Sequence, residues 1–239
     1  MRFESFAFFA ISATVASFAG RLPDDFKVCE IGIAHYDGCL KDAIYSALAQ
    51  LENGMPEISA PSLNPVEIPS AVVDKGEYAF SFKNLKLYNV TKMQIIDIKS
   101  SVTLEKFEVK LEIFYEDVTA TCDYSLTGKL LLFGVDGGGK AVISLRNITV
   151  VTDWAGIAVH GKKFAHYQLS DVNFTIKTAM AAYQLDNLIK DNPELTKAVN
   201  EALNQSSDVL LDELKPVFQE IMSKHLMSYA NNVFKYVSV

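Results

Sequence analysis

The sequence contains few of the residues that build charged, metal-binding or redox sites. Of its 239 residues, three are cysteines, four are histidines and one is tryptophan, and the 22 basic residues are outnumbered by 29 acidic ones. An acidic protein is a poor partner for nucleic acid or anionic lipid, and the Lys and Arg residues are scattered and form no basic run. We therefore expect a neutral or apolar ligand and no nucleic acid.

The sequence also lacks a constellation of catalytic or metal-binding residues. Its histidines include no pair at the four-residue spacing that a helical zinc site uses, and no Gly-x-Ser-x-Gly motif marks a hydrolase nucleophile. His160 and His166 flank a predicted hairpin, where solvated side chains are ordinary. We expect no enzyme activity, no metal and no cofactor.

One glycine-rich segment is similar to a phosphate-binding loop. Residues 134–140 read Gly-Val-Asp-Gly-Gly-Gly-Lys, but Ala141 follows where such a loop needs a hydroxyl for magnesium. The next residues, 142–151, predict a strand, whereas the loop must open a helix. We interpret the segment as a glycine-rich turn between two strands.

The first 19 residues have the pattern of a secretory signal peptide. An apolar stretch covers residues 6–18, and Ser17 and Ala19 place small residues where a signal peptidase cuts. The alternative is a membrane anchor, but the stretch is short for a bilayer span and no second run of about 20 apolar residues follows. We predict cleavage after Ala19, a secreted extracellular protein, and one domain over residues 20–239 without stable membrane insertion.

The cysteines predict one disulfide. Cys29 and Cys39 lie close together in a chain that looks secreted, so we pair them. Cys122 lies alone in a strand-like segment, which favours a buried, reduced thiol and leaves a bridge between two chains as the alternative. This pairing would tie the mature N-terminus to the first helix.

Four Asn-x-Ser/Thr sequons predict glycosylation, since the chain looks secreted. The acceptor residues are Asn89, Asn147, Asn173 and Asn204. Asn173 lies between apolar residues that alternate along a predicted strand, Val172, Phe174 and Ile176. These apolar residues face one side of the strand and Asn173 faces the other, so the apolar pattern and the sequon agree on which side faces solvent.

The apolar spacing predicts an α+β chain. Residues 39–51 have a helical period that ends before Gly54, and prolines through residues 55–69 predict an extended crossing segment. Residues 78–176 alternate with period two, as in long antiparallel strands with one dry face. We predict helix again after Ala179, over residues 183–189 and 193–236, with a kink or division at Pro216.

Several motifs, in this order along the chain, resemble those of the takeout and haemolymph juvenile-hormone-binding family. They are Leu-Pro-Asp-Asp-Phe-Lys-Val-Cys at 22–29, Cys-Leu-Lys at 39–41, the proline-spaced segments 54–58 and 63–69, Phe-Lys-Asn-Leu-Lys-Leu-Tyr at 82–88, Leu-Asn at 203–204 and Glu-Leu-Lys-Pro at 213–216. The resemblance covers nearly the whole mature chain. It implies a long C-terminal helix wrapped by a strongly curved antiparallel sheet, as in lipid-transfer proteins of the lipopolysaccharide-binding type, with an elongated hydrophobic tunnel between them.

Two departures bear on the branch of the family. Ser207 stands where relatives often have tryptophan after the Leu-Asn pair, and Cys122 has no partner for the second disulfide of the hormone-binding branch. This favours the takeout-like branch, whose ligands are less defined.

The sequence therefore predicts a monomeric secreted carrier of a small hydrophobic ligand such as a terpenoid, a fatty acid or a juvenile-hormone-like molecule. The alternative is a secreted protein that binds a receptor or a microbial glycolipid through its surface, and a lipase-type enzyme is a third interpretation. The residues expected to line the tunnel are Leu48, Phe80, Phe82, Phe107, Val109, Leu111, Ile113, Tyr124, Phe174, Leu214, Phe218, Ile221 and Met222.

Overall fold

The computed structural model describes residues 22–23, 25–74, 76, 78–130, 132–161 and 164–238. The predicted signal peptide, residues 1–19, lies outside them. The described residues form helix α1 (Tyr36–Leu51), strands β1 (Val66–Asp74), β2 (Tyr78–Tyr88), β3 (Gln94–Val102), β4 (Lys106–Leu130), β5 (Phe133–His160) and β6 (Ala165–Leu185), and helices α2 (Pro193–Gln205) and α3 (Ser207–Phe234). The α+β class is confirmed, with a long antiparallel sheet packed against a long C-terminal helix.

The six strands form one antiparallel sheet in the order β1-β2-β4-β5-β6, and β3 pairs with β4 outside this path. Strands β2 and β3 share one side of β4, because β2 pairs with its second half and β3 with its first half. Strand β4 has 25 residues, β5 has 28 and β6 has 21. These three strands run along the whole sheet, and the shorter strands complete it at either end.

Burial along β4 confirms the predicted alternation. Phe107, Val109, Leu111 and Ile113 are buried at odd positions, whereas the buried residues from Val118 onward are at even positions. The change of parity in β4 coincides with one in β5, where Asn147 has φ 49°. Asparagine tolerates this left-handed conformation, so both strands shift by one residue together and keep their apolar residues on one face.

The sheet extends further towards the C-terminus than we predicted. Strand β6 continues to Leu185, so the helix expected after Ala179 and over residues 183–189 is wrong. Tyr183 and Leu185 are buried at alternate positions of a strand that pairs with β5. A short apolar run fits a strand as well as a helix, and here the pairing with β5 makes it a strand. The C-terminal helices divide at Ser206, and α3 continues through Pro216. Of the kink or division predicted at Pro216, the division is therefore wrong and the kink stays a prediction.

The glycine-rich turn predicted for residues 134–140 is wrong, because these residues lie inside β5. The chain that leaves β6 crosses this strand closely. A Cβ on Gly137 would lie 2.1 Å from the carbonyl oxygen of Asn187, and one on Gly139 would lie 2.9 Å from that of Asp186. Glycine is required here for the approach of a second backbone.

The proline-rich segment is less extended than predicted. Pro56–Ile58 form a single turn of 3₁₀ helix, and β1 begins at Val66. Pro69 lies within β1, which is an edge strand of the sheet and therefore tolerates a residue without an N–H group. Helix α1 ends before Gly54 as predicted, and that glycine has φ 80°.

The free edge of β6 is covered by side chains of α2 and α3. Three asparagines each accept a hydrogen bond from a backbone N–H and donate one to the C=O of the same strand residue, with N···O distances of 2.7 to 3.1 Å: Asn200 with Leu185, Asn204 with Tyr183, and Asn231 with Leu169. Gln219 and Ser223 accept from the N–H groups of Ile176 and Phe174. These bonds hold both helices along the strand.

We expect Asn204→Leu to lower the free energy of unfolding by about 2 kcal/mol, because the N–H and C=O of Tyr183 lose their partner in a partly buried position. The matched control is Gln205→Leu on the exposed side of the same helix. Urea denaturation of the unglycosylated proteins measures both. Equal midpoints for the two variants would contradict this role of Asn204.

Candidate ligand-binding site

The inner face of the sheet carries two large apolar clusters. The α2-end cluster contains Val66, Ile68, Phe82, Leu85, Ala120, Cys122, Tyr124, Leu126, Leu130, Val135, Ala141, Ile143, Tyr183, Leu185, Leu188, Val199, Leu203 and Leu210. The α1-end cluster contains Ile95, Phe107, Val109, Leu111, Ile113, Tyr167, Leu169 and Val172. A smaller central group, Val118, Ile148 and Val150, is packed against by Phe174 and Ile176. Apolar side chains thus follow the sheet from one end to the other.

Helix α3 covers both clusters. Leu214, Phe218, Ile221 and Met222 pack on the α2-end cluster, and Leu226, Met227, Ala230 and Phe234 pack on the α1-end cluster. A helix of 28 residues is about 42 Å long, which is enough to bridge the two. Several of these helix residues remain only half-buried although they lie within apolar surroundings.

The residues predicted to line a tunnel divide between these groups. Phe80, Phe82, Tyr124, Leu214, Phe218, Ile221 and Met222 belong to the α2-end cluster or pack on it, Phe107, Val109, Leu111 and Ile113 belong to the α1-end cluster, and Phe174 packs on the central group. Leu48 is half-buried on α1, whereas the α1 residues that pack on the α1-end cluster are Leu40, Ile44 and Tyr45.

The charged side chains of the described residues stay out of this interior. Within the described ranges, Thr152 is the one buried polar side chain other than the tyrosines, and its hydroxyl accepts a hydrogen bond of 2.8 Å from the indole N–H of Trp154. Among the described residues no Lys, Arg, His, Asp or Glu is buried. Nor do they bring three or more His, Cys, Asp or Glu together as a metal site would require. The interior is suited to an uncharged molecule.

The tyrosine hydroxyls supply most of the polarity of the interior. Tyr115 lies where the α1-end cluster meets the central group, and its hydroxyl donates to the sulfur of Met93 over 3.9 Å. Burial raises the pKa of Tyr115 to about 12, so the phenol is neutral at physiological pH. Tyr124 donates to the carbonyl oxygen of Asp186 over 2.7 Å.

Tyr183 was not among the predicted lining residues, because we assigned its segment to a helix. Its side chain is 5% exposed in the α2-end cluster, and its hydroxyl has no hydrogen-bond partner among the described residues. Burial raises its pKa. The alternation of Ala181, Tyr183 and Leu185 was the available signal, and it indicates a strand whose odd positions face inward.

The predicted disulfide is confirmed: Cys29 is bonded to Cys39, which lies in the first turns of α1. Cys122 is a free, buried thiol on β4. Burial, with a smaller contribution from the charge of Asp123, raises its pKa to about 11. The thiol therefore behaves as a small apolar side chain.

We expect native Cys122 to react slowly with a thiol reagent at pH 8. A thiol with a pKa of about 11 has on the order of 100-fold less thiolate at this pH than an ordinary one, and its reactivity rises only as the pH approaches 11. Dithionitrobenzoate absorbance should give one reactive thiol per chain after denaturation without reductant and almost none before. Rapid reaction of the folded protein would contradict the buried assignment.

The four sequons lie in different environments. Asn173 is exposed on β6, as its parity predicted, and Asn147 is exposed at the bend of β5. The side-chain amide of Asn89 donates to a carboxylate oxygen of Asp117, and that of Asn204 donates to two backbone carbonyls. A glycan is attached through the side-chain amide nitrogen, and in Asn89 and Asn204 this nitrogen already donates hydrogen bonds within the protein. Glycosylation stays a prediction, and we expect it first at Asn173 and Asn147.

None of the helices in the described part of the chain combines the length and the hydrophobicity that a membrane span requires. A surface pocket of about 490 Å³ opens between β6 and α2, with Gln184, Asp186, Thr196 and Lys197 in its lining. Its lining also includes Tyr183 and Leu185 of the α2-end cluster.

Comparison with known proteins gives consistent matches over most of the chain. The family model for haemolymph juvenile hormone binding protein matches residues 6–239. Circadian clock-controlled protein daywake is 23% identical in Drosophila melanogaster and 21% identical in Drosophila yakuba, in each case over 212 residues that cover 84% of this chain and 80% of daywake. The crystal structure of Epiphyas postvittana Takeout 1 is similar with a TM-score of 0.72 and 22% identity, covering 84% of this chain and 93% of Takeout 1.

Proposed function

Since the chain belongs to the haemolymph juvenile hormone binding protein family, we propose that it is a secreted carrier that holds a small hydrophobic ligand in a tunnel between the sheet and α3. The single observation that carries this proposal is the apolar face that runs from the α2-end cluster through the central group to the α1-end cluster and is covered by one helix. A terpenoid, a fatty acid or a juvenile-hormone-like molecule has the shape and polarity for such a space.

The tunnel requires the sheet to curve around α3, and the irregularities of the strands support this. The pairing register shifts in β2 between Lys83 and Lys86, where Asn84 has φ 54°, and again between β5 and β6 beside Asn147. Each bulge bends its strand and increases the local twist. Their positions on successive strands are consistent with a sheet that wraps.

Solvent exclusion alone would supply the affinity. Burying a methylene contributes about 0.8 kcal/mol, so a ligand with about twelve carbons gains on the order of 10 kcal/mol before the costs of association. The carrier needs no catalytic residue and no charged anchor. Entry and release require only that a helix or loop moves at one end of the tunnel.

Solvent extraction tests the proposal. Protein from insect-cell medium would be extracted with chloroform and methanol and the extract analysed by mass spectrometry. A carrier releases lipid in stoichiometric amount, and so does a refolded sample that has been incubated with lipid. Protein without extractable or reloadable lipid would contradict the carrier and favour the alternative, a surface that binds a receptor or a microbial glycolipid.

The predicted secretion has its own test. Protein purified from insect-cell medium should begin at Gly20, and its mass should fall after glycosidase treatment. Asn173→Gln should remove part of that mass difference, whereas Asn204→Gln should not, because the amide of Asn204 is bonded to β6. Intact N-terminal residues, or a mass that glycosidase leaves unchanged, would contradict the signal peptide or the glycan respectively.

A further inference from the structure

Tyr183 differs from the other buried tyrosines of the interior. The hydroxyl of Tyr124 donates to the carbonyl of Asp186, and that of Tyr167 donates to the carbonyl of Thr103. Tyr45 accepts from the N–H of Ile95. The hydroxyl of Tyr183 is buried without a hydrogen-bond partner among the described residues. Buried polar groups are nearly always paired, so this exception requires a cause.

The surroundings of Tyr183 limit what the missing partner can be. Its side chain lies in the α2-end cluster, on the inward parity of β6, and Ile143 is its neighbour on β5. Leu214, Phe218 and Ile221 pack on the same cluster from α3. Tyr183 also lines the pocket between β6 and α2, but its hydroxyl is buried, and the partner that this inference requires reaches it from the apolar side of the sheet, where the proposed ligand would lie.

The partner of the Tyr183 hydroxyl should be uncharged, because the described residues include no buried cation that could compensate a negative charge. None of the described Lys or Arg residues is buried, and His225, half-buried on α3, has its pKa lowered by burial and is therefore neutral at physiological pH. An ionised carboxylate in this space would be uncompensated. Burial raises the pKa of Tyr183, so its hydroxyl keeps its proton and can donate it.

We propose that the hydroxyl of Tyr183 donates a hydrogen bond to a neutral acceptor oxygen, an ester or ketone, at one end of the ligand. The hydrocarbon part of the ligand then extends past the central group towards the α1-end cluster. This inference rests on the proposed carrier function and adds to it a binding residue, a ligand class and an orientation.

The test compares an ester with its hydrocarbon. Methyl laurate and tridecane have similar length, but only the ester has an acceptor. Each would displace N-phenyl-1-naphthylamine from wild-type protein, from Tyr183→Phe and from Tyr229→Phe. Tyr183→Phe should weaken methyl laurate about tenfold, equivalent to about 1.4 kcal/mol, and tridecane by less than about twofold. In wild type, ionised laurate should bind more weakly than its methyl ester.

Tyr124→Phe is the matched control for stability, because it removes a hydroxyl of the same cluster that is already bonded within the protein, and it should lower the melting temperature of the ligand-free protein. Tyr229→Phe is the control for binding, because Tyr229 packs outside both clusters and donates to the carbonyl oxygen of Pro61, and it should leave the ratio of ester to hydrocarbon affinity unchanged. Tyr183→Phe should not lower that temperature, since it removes no internal hydrogen bond. A loss equal to that of Tyr124→Phe would reveal an internal partner and overturn the inference.

The two proposals fail in different ways. If neither methyl laurate nor tridecane displaces the dye from wild type, the carrier function fails and this inference fails with it. If both displace it, but Tyr183→Phe leaves methyl laurate unchanged or weakens both compounds equally, the carrier function stands and Tyr183 is not the anchor. If laurate binds as tightly as its ester, the neutral ligand class is wrong.

Discussion

Gly137→Ala is expected to lower the free energy of unfolding by about 3 kcal/mol. The added Cβ would lie 2.1 Å from the carbonyl oxygen of Asn187 and 2.4 Å from that of Leu188. Both atoms belong to the backbone, so no side chain can rotate away, and either β5 or the segment after β6 must move. That segment is also held by a hydrogen bond of 3.0 Å from the N–H of Lys190 to Asp136. Urea denaturation measures the loss.

Gly134→Ala is the matched control in the same strand. A Cβ at Gly134 would have no atom within 4 Å, so the stability should change by less than about 0.5 kcal/mol. Comparing the two variants separates the general effect of replacing a glycine in a strand from the effect of the close backbone crossing at Gly137. Similar denaturation midpoints for both variants would show that the segment after β6 does not press on Gly137.

Leu111→Glu is expected to weaken ligand binding at least tenfold, a loss of about 1.4 kcal/mol. Leu111 is 6% exposed on the inner face of β4, and a carboxylate there would lie uncompensated against the ligand or draw water into the interior. A hydrophobic fluorescent probe or a juvenile-hormone analogue measures the affinity, after circular dichroism has shown that the variant is folded.

The neighbouring variant Lys110→Glu introduces the same residue on the opposite face. It removes an exposed ion pair of 3.1 Å with Asp153, which contributes at most about 1 kcal/mol to stability, and it should bind the ligand like wild type. Val109→Thr adds only a hydroxyl to the inner face and serves if Leu111→Glu does not fold. Equal affinity of the folded inner-face variants and Lys110→Glu would mean that this face of β4 does not line the site.

The strand parity of β4 could be predicted from the sequence because the signal is local. Buried and exposed residues alternate there over most of a long strand, and each residue's neighbours along the chain determine its face. The disulfide was predictable for the same reason, since its two cysteines are separated by only ten positions in sequence. The apolar periodicity also predicted the order of helix, sheet and helix, and the family motifs implied that the sheet packs against the C-terminal helix.

The errors fall where distant parts of the chain decide the local structure. Residues 134–140 have the composition of a turn, and only the backbone of Asn187 and Leu188, which crosses them, explains their glycines in a strand. The end of β6 has residues that also suit a helix, and it is held as a strand by β5 on one side and by Asn200 and Asn204 on the other. The backbone crossing has no local signal, and the alternation of Ala181, Tyr183 and Leu185 at the end of β6 does not by itself exclude a helix.

The candidate site was predictable in outline but not in its polar details. Inward parity and helical spacing selected Phe82, Leu111 and Phe218, which the structure places in the two clusters. Tyr183 could have been selected as an inward-facing residue from the alternation of Ala181, Tyr183 and Leu185, but the missing partner of its hydroxyl cannot be read from a sequence. Leu48 was chosen from the apolar face of α1, and its place in the site stays a prediction; the α1 residues that pack on the α1-end cluster include Ile44 and Tyr45.

The asparagines that cover β6 have a consequence for how molecules of this protein meet one another. An uncovered edge strand of 21 residues would offer a row of N–H and C=O groups to the edge of a neighbouring molecule, and such edges are templates for aggregation. The side-chain amides of α2 and α3 bond to N–H and C=O groups of β6 as a neighbouring strand would. Unlike a strand, they present no further row of backbone groups to another molecule. The opposite edge carries Pro69, which has no N–H to offer. The sheet edges at β6 and β1 are therefore both protected against pairing with the edge strand of another molecule.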